Sequence, residues 1–504
     1  MTYDFEEIID RKGTDCLKHE YLMKVCGRTD VLPMWVADME YRTPAFVTDA
    51  IQKRLGQGIL GYTRPSAAYF QAICDWNMSE YGLDITPEMI NYIPGVVSGI
   101  YMSMLAFTEK HDRILIMEPV YHPFRLVPQA NDREVVMSPL RRGEVNFELD
   151  FERLEQDIKG CKMMVLCNPH NPGGVCWTAD ELRRIASICK REGVVVVSDE
   201  IHCDMLLGGR RHVPFASVSD EARSIAVTLQ APTKTFNLPG IVAAHAIVLD
   251  ADLRSKMFGY IHGSDMDLGN ILAFDCVKAC YSDAGLQWKQ EMLEYVDANI
   301  DLLCERMAAE CPQIVPIRPQ ASYLVFLDCR GLGLGQEELI RFFADKAHIC
   351  MNSGDMFGPS GAGYMRMNVA CPRSMMQQAI DQIIEAVKNN PDVIGVVSTD
   401  WLRGKNEAAM SDFHGLDVNV MLVSRGKSAY DMSKICRPYQ YYIATGDYPL
   451  VRRVYAITTD PRPSSKQTYF FYFLKSDSGQ RIICNDSQLL PYLSVQVRDV
   501  NVHQ

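Results

Sequence analysis

Residues 163–202 read MMVLCNPHNPGGVCWTADELRRIASICKREGVVVVSDEIH. Two short apolar runs, Met163–Cys167 and Val194–Val197, bracket a segment of helical pattern. Continuous apolar runs of this length suit strands buried on both faces, as in a parallel sheet covered by helices. The segment between them carries a start signal. Thr178 can cap a helix, and Glu181, three residues on, completes a capping box. Leu182, Ile185 and Cys189 then repeat at helical spacing. Strand, helix and strand in succession predict an α/β fold. Arg113–Met117 and Ser224–Leu229 are runs of the same kind, so the pattern extends over roughly residues 90–245.

Outside that region the pattern changes. Helical segments Gln287–Glu310, Gln336–Ala347 and Ser374–Lys388 alternate with strand-like Tyr323–Asp328 and Tyr364–Ala370, which predicts a smaller α+β domain over 281–389. Residues 1–50 are expected to form an N-terminal arm and part of that small domain, and 51–280 the large domain. After Asn389 the composition shifts, and 391–504 is expected to be a separate α/β module with a turn-rich linker at Thr459–Lys466. The chain has 504 residues, 47% of them hydrophobic, enough for more than one core. A formal net charge of −12 without a long basic run argues against a broad nucleic-acid surface. The opening MTYDFEEIIDRKGTD has no apolar leader, and no stretch of about 18 apolar residues follows it, so a cytoplasmic protein without a membrane partner is expected. The 17 cysteines include no CxxC pair, which predicts reduced thiols packed as small apolar residues and no metal site, Cys276 and Cys280 included.

In open parallel sheets ligands bind beyond the carboxyl ends of the strands, so the residues after each strand are the candidates. Met163–Cys167 leads into Asn168-Pro-His-Asn-Pro-Gly-Gly174, a stiff loop in which Asn171 can bond a phenolic oxygen. A plain tight turn is the alternative. Val194–Val197 leads into Ser198-Asp-Glu-Ile-His202. A carboxylate at a buried strand end is costly unless paired. Asp199 can pair with a protonated pyridine nitrogen and keep it protonated, which makes such a ring an electron sink, or it can cap the next helix. Ser224–Leu229 leads into Gln230-Ala-Pro-Thr-Lys234. Lys234, between Thr233 and Thr235, can form a Schiff base if desolvation or a nearby cation lowers its pKa. A solvated lysine is the commoner fate of a lone Lys. Upstream, Gly95 lets the backbone approach closely, and the amides after it open a helix, an anion site suited to phosphate. Gly331–Gly335 reads as a loop, because Gln336 stands at the third glycine of a dinucleotide fingerprint. The phosphate turn, Asn loop, Asp strand end and Lys strand end arrive in order along one region. Together they point to pyridoxal 5'-phosphate (PLP).

Residues 1–389 resemble the fold-type-I PLP-dependent transferases, specifically the MalY/PatB group of cystathionine β-lyase-like proteins. The segments that carry the resemblance include Leu32-Pro-Met-Trp-Val-Ala-Asp-Met39, Gly61-Tyr-Thr63, Pro94-Gly-Val-Val97, Pro119-Val-Tyr-His-Pro-Phe124, Asn168–Gly174, Asp199-Glu-Ile-His202, Lys234-Thr-Phe-Asn237, Phe357-Gly-Pro359 and Tyr364–Arg373. His202 stands where general aminotransferases more often have tyrosine. The resemblance implies that Lys234 holds PLP and moves the Cα proton, and that Asp199 pairs with the pyridine nitrogen. It also implies that Asn171 bonds the phenolic oxygen, Tyr121 stacks on the ring, and the amides of Val96 and Val97 hold the phosphate. Thr233 and His202 fall within the cofactor motifs. Tyr62 is implied to reach the phosphate of a second subunit, making a homodimer with a shared site. Arg366 is implied to clamp the carboxylate of an amino-acid substrate, with Ala37 beside it. His19, Ala231 and Ala244 depart from the group's pattern: His19 replaces a tryptophan, and the two alanines offer the phosphate no hydroxyl.

Residues 391–504 resemble the C-terminal part of phosphate-type periplasmic substrate-binding proteins, through Val393–Trp401, Gly446–Leu450, Val454-Tyr455, Ser478–Gln480 and Leu489–Pro491. Only the last portion of such a protein is represented, so a packing appendage or a gene fusion is expected there rather than a phosphate site. The function expected of the whole is a carbon–sulfur β-lyase acting on cystathionine or cysteine S-conjugates. A class I/II aminotransferase is the alternative within the class. A solute-binding protein with an idle enzyme domain is the alternative outside it.

Overall fold

The computed structural model describes residues 2–389, and the backbone of Ile394–Ser398, Val423–Ser424, Ile435–Cys436 and Val454–Thr458. The chain divides into two compact units, 1–383 and 384–504. The first is built on a seven-stranded sheet. Its strands are β1 (Ile90–Ile93), β2 (Arg113–Glu118), β3 (Glu134–Pro139), β4 (Cys161–Cys167), β5 (Val195–Asp199), β6 (Ala226–Gln230) and β7 (Ala244–Ile247), in the order β1-β7-β6-β5-β4-β2-β3. β7 runs antiparallel to both neighbours, and the other pairs are parallel. The expected α/β fold is therefore present.

The apolar runs become strands because both faces are covered. Ile114, Ile116, Met163, Val165, Val197, Val227 and Leu229 lie in one core with Ile100 and Met104 of helix α1 (Val96–Phe107). Helix α2 (Ala179–Glu192) starts at Thr178 with the predicted capping box. It ends at Gly193, whose amide bonds Lys190 O while the Val194 amide bonds Cys189 O. That cap consumes Val194, so β5 begins at Val195, one residue later than the apolar run. Ser224 and Ile225 are likewise spent closing the helical turn Asp220–Arg223, and β6 begins at Ala226.

A second sheet, β8 (Val315–Ile317), β9 (Leu324–Asp328), β10 (Asn352–Ser353) and β11 (Tyr364–Asn368), is antiparallel throughout in the order β8-β9-β11-β10. Helices α3 (Asp283–Glu310) and α4 (Arg373–Lys388) belong to the same stretch of chain. The helix read over Gln336–Ala347 is α-helical only to Arg341 and continues as a π turn, Phe342–Lys346. Among the described residues no helix is long and apolar enough to cross a membrane. In the second unit, Ile394–Ser398 pairs antiparallel with Val454–Thr458. The other segments resembling a substrate-binding protein lie outside the described residues.

Candidate active site

β5 delivers Asp199 as its last residue. The side chain is buried, one oxygen accepts the Ile201 amide at 3.1 Å, and no cation pairs with it among the described residues. Burial pushes its carboxyl up to about 7, against the lowering effect of the Ile201 amide; Glu200 raises it and Lys234 lowers it. An anion held at such a strand end is stable only when a cation arrives to meet it.

Lys234 lies in the turn after β6. Its amine donates to the Ala37 carbonyl at 2.7 Å. Burial lowers its pKa to about 8, with Asp38 opposing, Arg366 adding to the fall and Asp199 opposing. Near neutral pH a usable fraction of the amine is therefore unprotonated and able to act as nucleophile or base.

Arg366 projects from β11 and is 5% exposed. It donates to Asn171 Oδ1 (3.1 Å), Asn352 Oδ1 (2.6 Å) and the Trp35 carbonyl (3.3 Å), and it lies over the Phe357 ring at 4.8 Å. All three acceptors are neutral, and its Nε has no partner. Burial lowers its pKa to about 10, with Tyr121 and Tyr323 opposing. This is a buried guanidinium held in place without an anion.

Asn171 offers its carbonyl to Arg366, which leaves its Nδ2 as a donor without a partner among the described residues. Tyr121 is tied to the same loop by its amide, which bonds Asn171 O at 3.1 Å. Burial raises its phenol, with Arg366 opposing and Asp199 reinforcing. His202 is buried with Nδ1 unpartnered, and burial together with Lys234 and Arg366 lowers its pKa to about 3, so it is neutral at physiological pH. Thr233 is buried next to Lys234 in sequence. Gly95 precedes α1 at φ +109°, a conformation that favours glycine, and having no side chain it leaves the first amides, those of Val96 and Val97, uncapped.

Electrostatic interactions tie Lys234, Asp199, Arg366, Tyr121 and His202 to one another. Ala37 joins them through its carbonyl. Tyr62 does not join them: it is 101% exposed among the described residues. Sequence reasoning missed Asn352 and the Trp35 carbonyl as supports of Arg366, and Tyr323, whose hydroxyl shares the Ala37 carbonyl with Lys234 at 3.0 Å. It also assigned no role to Asn237, which brackets Met39 and Tyr41 although it was quoted in a motif.

The sheet order and the lysine-centred site define the fold-type-I, aminotransferase-like class. The profile of the aminotransferase class I and II family matches residues 29–383, and the chain belongs to that family. Cystathionine beta-lyase PatB of Bacillus subtilis (strain 168) is 36% identical over 389 residues, covering 77% of this chain and 100% of that protein. Cystalysin from Treponema denticola, whose crystal structure contains a pyridoxal 5'-phosphate cofactor, is 29% identical with a TM-score of 0.74, over 77% of this chain and 99% of that one. The PLP-bound C-S lyase from Staphylococcus hominis is 30% identical with a TM-score of 0.71, over 77% and 98%.

Proposed function

We propose that this chain is a PLP-dependent carbon–sulfur β-lyase that converts cystathionine or a related cysteine S-conjugate, with one water, into pyruvate, ammonia and a thiol. One observation carries the proposal. Among the described residues, a buried carboxylate without a cation (Asp199) and a buried guanidinium without an anion (Arg366) flank one desolvated amine (Lys234). The residues fit PLP. Asp199 would pair with the pyridine nitrogen, the Asn171 Nδ2 would donate to the phenolic oxygen, and Tyr121 would pack on the ring. The uncapped amides of Val96 and Val97 would hold the phosphate, and Thr233 and His202 would line the same cofactor site. When bound, PLP would supply a sink for the electrons of the broken Cα–H bond.

The chain's own groups do the rest. Arg366 takes the substrate carboxylate as a two-pronged pair and fixes which Cα bond faces Lys234. The Lys234 amine removes the Cα proton, and the Cβ–S bond then breaks with its electron pair leaving on sulfur. His202, neutral and buried, keeps a further positive charge out of the pocket. The likeness to a cystathionine beta-lyase and to a C-S lyase supports this outcome over transamination. The exposed Tyr62, with Ile59 (78% exposed) and Leu60 (65% exposed) beside it, supports a homodimer in which Tyr62 completes the partner's phosphate site. The parallel pairing of Leu32 with Ile349 supports an arm, 1–50, that joins the small domain, 281–389, next to the large domain, 51–280.

Two expected results follow from this arrangement. A carboxyl raised by folding adds stability that is fully present below its unfolded value near 4 and is lost as pH rises through about 7. Cofactor-free protein should therefore lose at most about 4 kcal/mol from Asp199 over that window, and Asp199→Asn should remove the loss. Urea unfolding of both proteins at acid and at neutral pH measures it. Equal pH dependence in the two would contradict an uncompensated Asp199.

A chain ending at Asn389 should keep PLP and hold kcat/KM within about twofold, because every residue placed in the site precedes that point. A soluble, cofactor-loaded truncation without lyase activity would assign 391–504 a part in the chemistry.

A further inference from the structure

The segment Trp35–Glu40 has no regular secondary structure, yet a named side chain holds each carbonyl from Trp35 to Met39. Arg366 takes Trp35 O (3.3 Å), and Asn368 takes Val36 O and Asp38 O (both 2.6 Å). Lys234 and Tyr323 share Ala37 O, and Asn237 takes Met39 O at 3.0 Å. The outer side of the segment is held by the N-terminal arm. Lys18, only 1% exposed, donates to Asp38 O at 3.0 Å. Its ammonium also lies 3.4 Å from Asp38 Oδ1 and 2.5 Å from Glu40 Oε1. Arg11 closes the same cluster on Asp38 (2.7 Å) and Glu40 (3.3 Å). The Trp35 indole in turn donates to Lys18 O at 2.9 Å.

A buried ammonium is expensive to desolvate, and a packing role alone would be filled as well by an apolar side chain. The Lys18 charge is placed where it offsets Asp38, and Asp38 is a charge that acts on Lys234.

We propose that Lys18 is a positioning residue for Lys234: by offsetting Asp38 and Glu40 it fixes the segment whose Ala37 carbonyl holds the Lys234 amine. The inference rests on the reading of Lys234 as the cofactor lysine. It extends the site to an arm that touches neither cofactor nor substrate. The charged and titratable groups that face Lys234 are Asp38 from this segment, Asp199 at the end of β5, His202 in the turn after it, Arg366 from β11, and Tyr323, which shares the Ala37 carbonyl with it. Removing the Lys18 cation leaves more negative charge on the segment and holds the Lys234 proton more tightly. Removing the Asp38 anion does the reverse. Opposite shifts from two neighbouring substitutions are what a merely structural role would not give.

The test follows covalent labelling of the cofactor-free full chain by PLP across pH, trapped with borohydride and mapped by mass spectrometry. Only the unprotonated amine attacks the aldehyde, so the midpoint of the labelling rate reports the proton on Lys234. Lys18→Met should raise the midpoint by roughly one pH unit and Asp38→Asn should lower it by a similar amount. Lys18→Arg should restore it. If Lys18→Met does not fold by circular dichroism, Lys18→Gln, which also removes the charge, takes its place and should raise the midpoint in the same way. Unmoved midpoints, or shifts of the same sign, would overturn the role of Lys18 alone. Absence of label at Lys234 in the unsubstituted chain would overturn the cofactor reading and the inference with it.

Discussion

Lys234→Ala should lower thiol release by about 10³-fold or more, since on the proposed reading both the covalent hold on the cofactor and the base for the Cα proton are lost. The protein should still fold. Lys234 sits in a turn, and the one hydrogen bond its side chain makes, to Ala37 O, is to a carbonyl that Tyr323 also holds. PLP should still be retained by the Asp199, Asn171 and phosphate contacts, but without a bond that borohydride can trap. Steady-state thiol release and mass spectrometry of the borohydride-treated protein measure both effects. A variant that keeps activity within tenfold, or that still carries the trapped adduct at the same place, would remove Lys234 from its role.

Arg366→Ala should cost on the order of 2–5 kcal/mol in kcat/KM for amino acids. The guanidinium is buried and already oriented by Asn171, Asn352 and Trp35 O, so the substrate carboxylate meets a site that needs no rearrangement. Arg366→Lys should recover only part of the loss, because an ammonium cannot form the two parallel bonds. Kinetics on a sulfur amino acid and on its decarboxylated amine separate the cases. The amine should be a poor substrate for the unsubstituted enzyme and should lose little more in Arg366→Ala. Equal losses on both compounds would show that Arg366 supports the fold rather than the carboxylate.

The parts of the fold legible in the sequence are those whose signal is local. Apolar runs mark β2, β4, β5 and β6, and Thr178 with Glu181 marks the start of α2. The residues after β4, β5 and β6 that the strands point to are accordingly brought into one cluster. Strand starts were displaced where neighbouring caps took the first residues, as Gly193 did with Val194. The supports of the site were not legible, because they are made by main-chain carbonyls. Nothing in Trp35, Val36 or Ala37 announces that Arg366, Asn368 and Lys234 will each take one of their oxygens. Those donors are some 200 to 330 residues away in the chain, and carbonyl acceptors carry no residue signature. Asn352 was missed for a related reason: a lone asparagine in a two-residue strand has no pattern around it.

Product balance from a single S-substituted cysteine tests the lyase assignment most directly. Purified, PLP-loaded enzyme is incubated with cystathionine and no keto-acid acceptor, and pyruvate, ammonia and free thiol are measured together. β-Elimination requires the three to rise in equal amounts from the first turnover onward. A keto acid that still carries its sulfur, exceeding one equivalent per site only when an acceptor is added and formed without free thiol, would contradict the lyase and make the chain an aminotransferase.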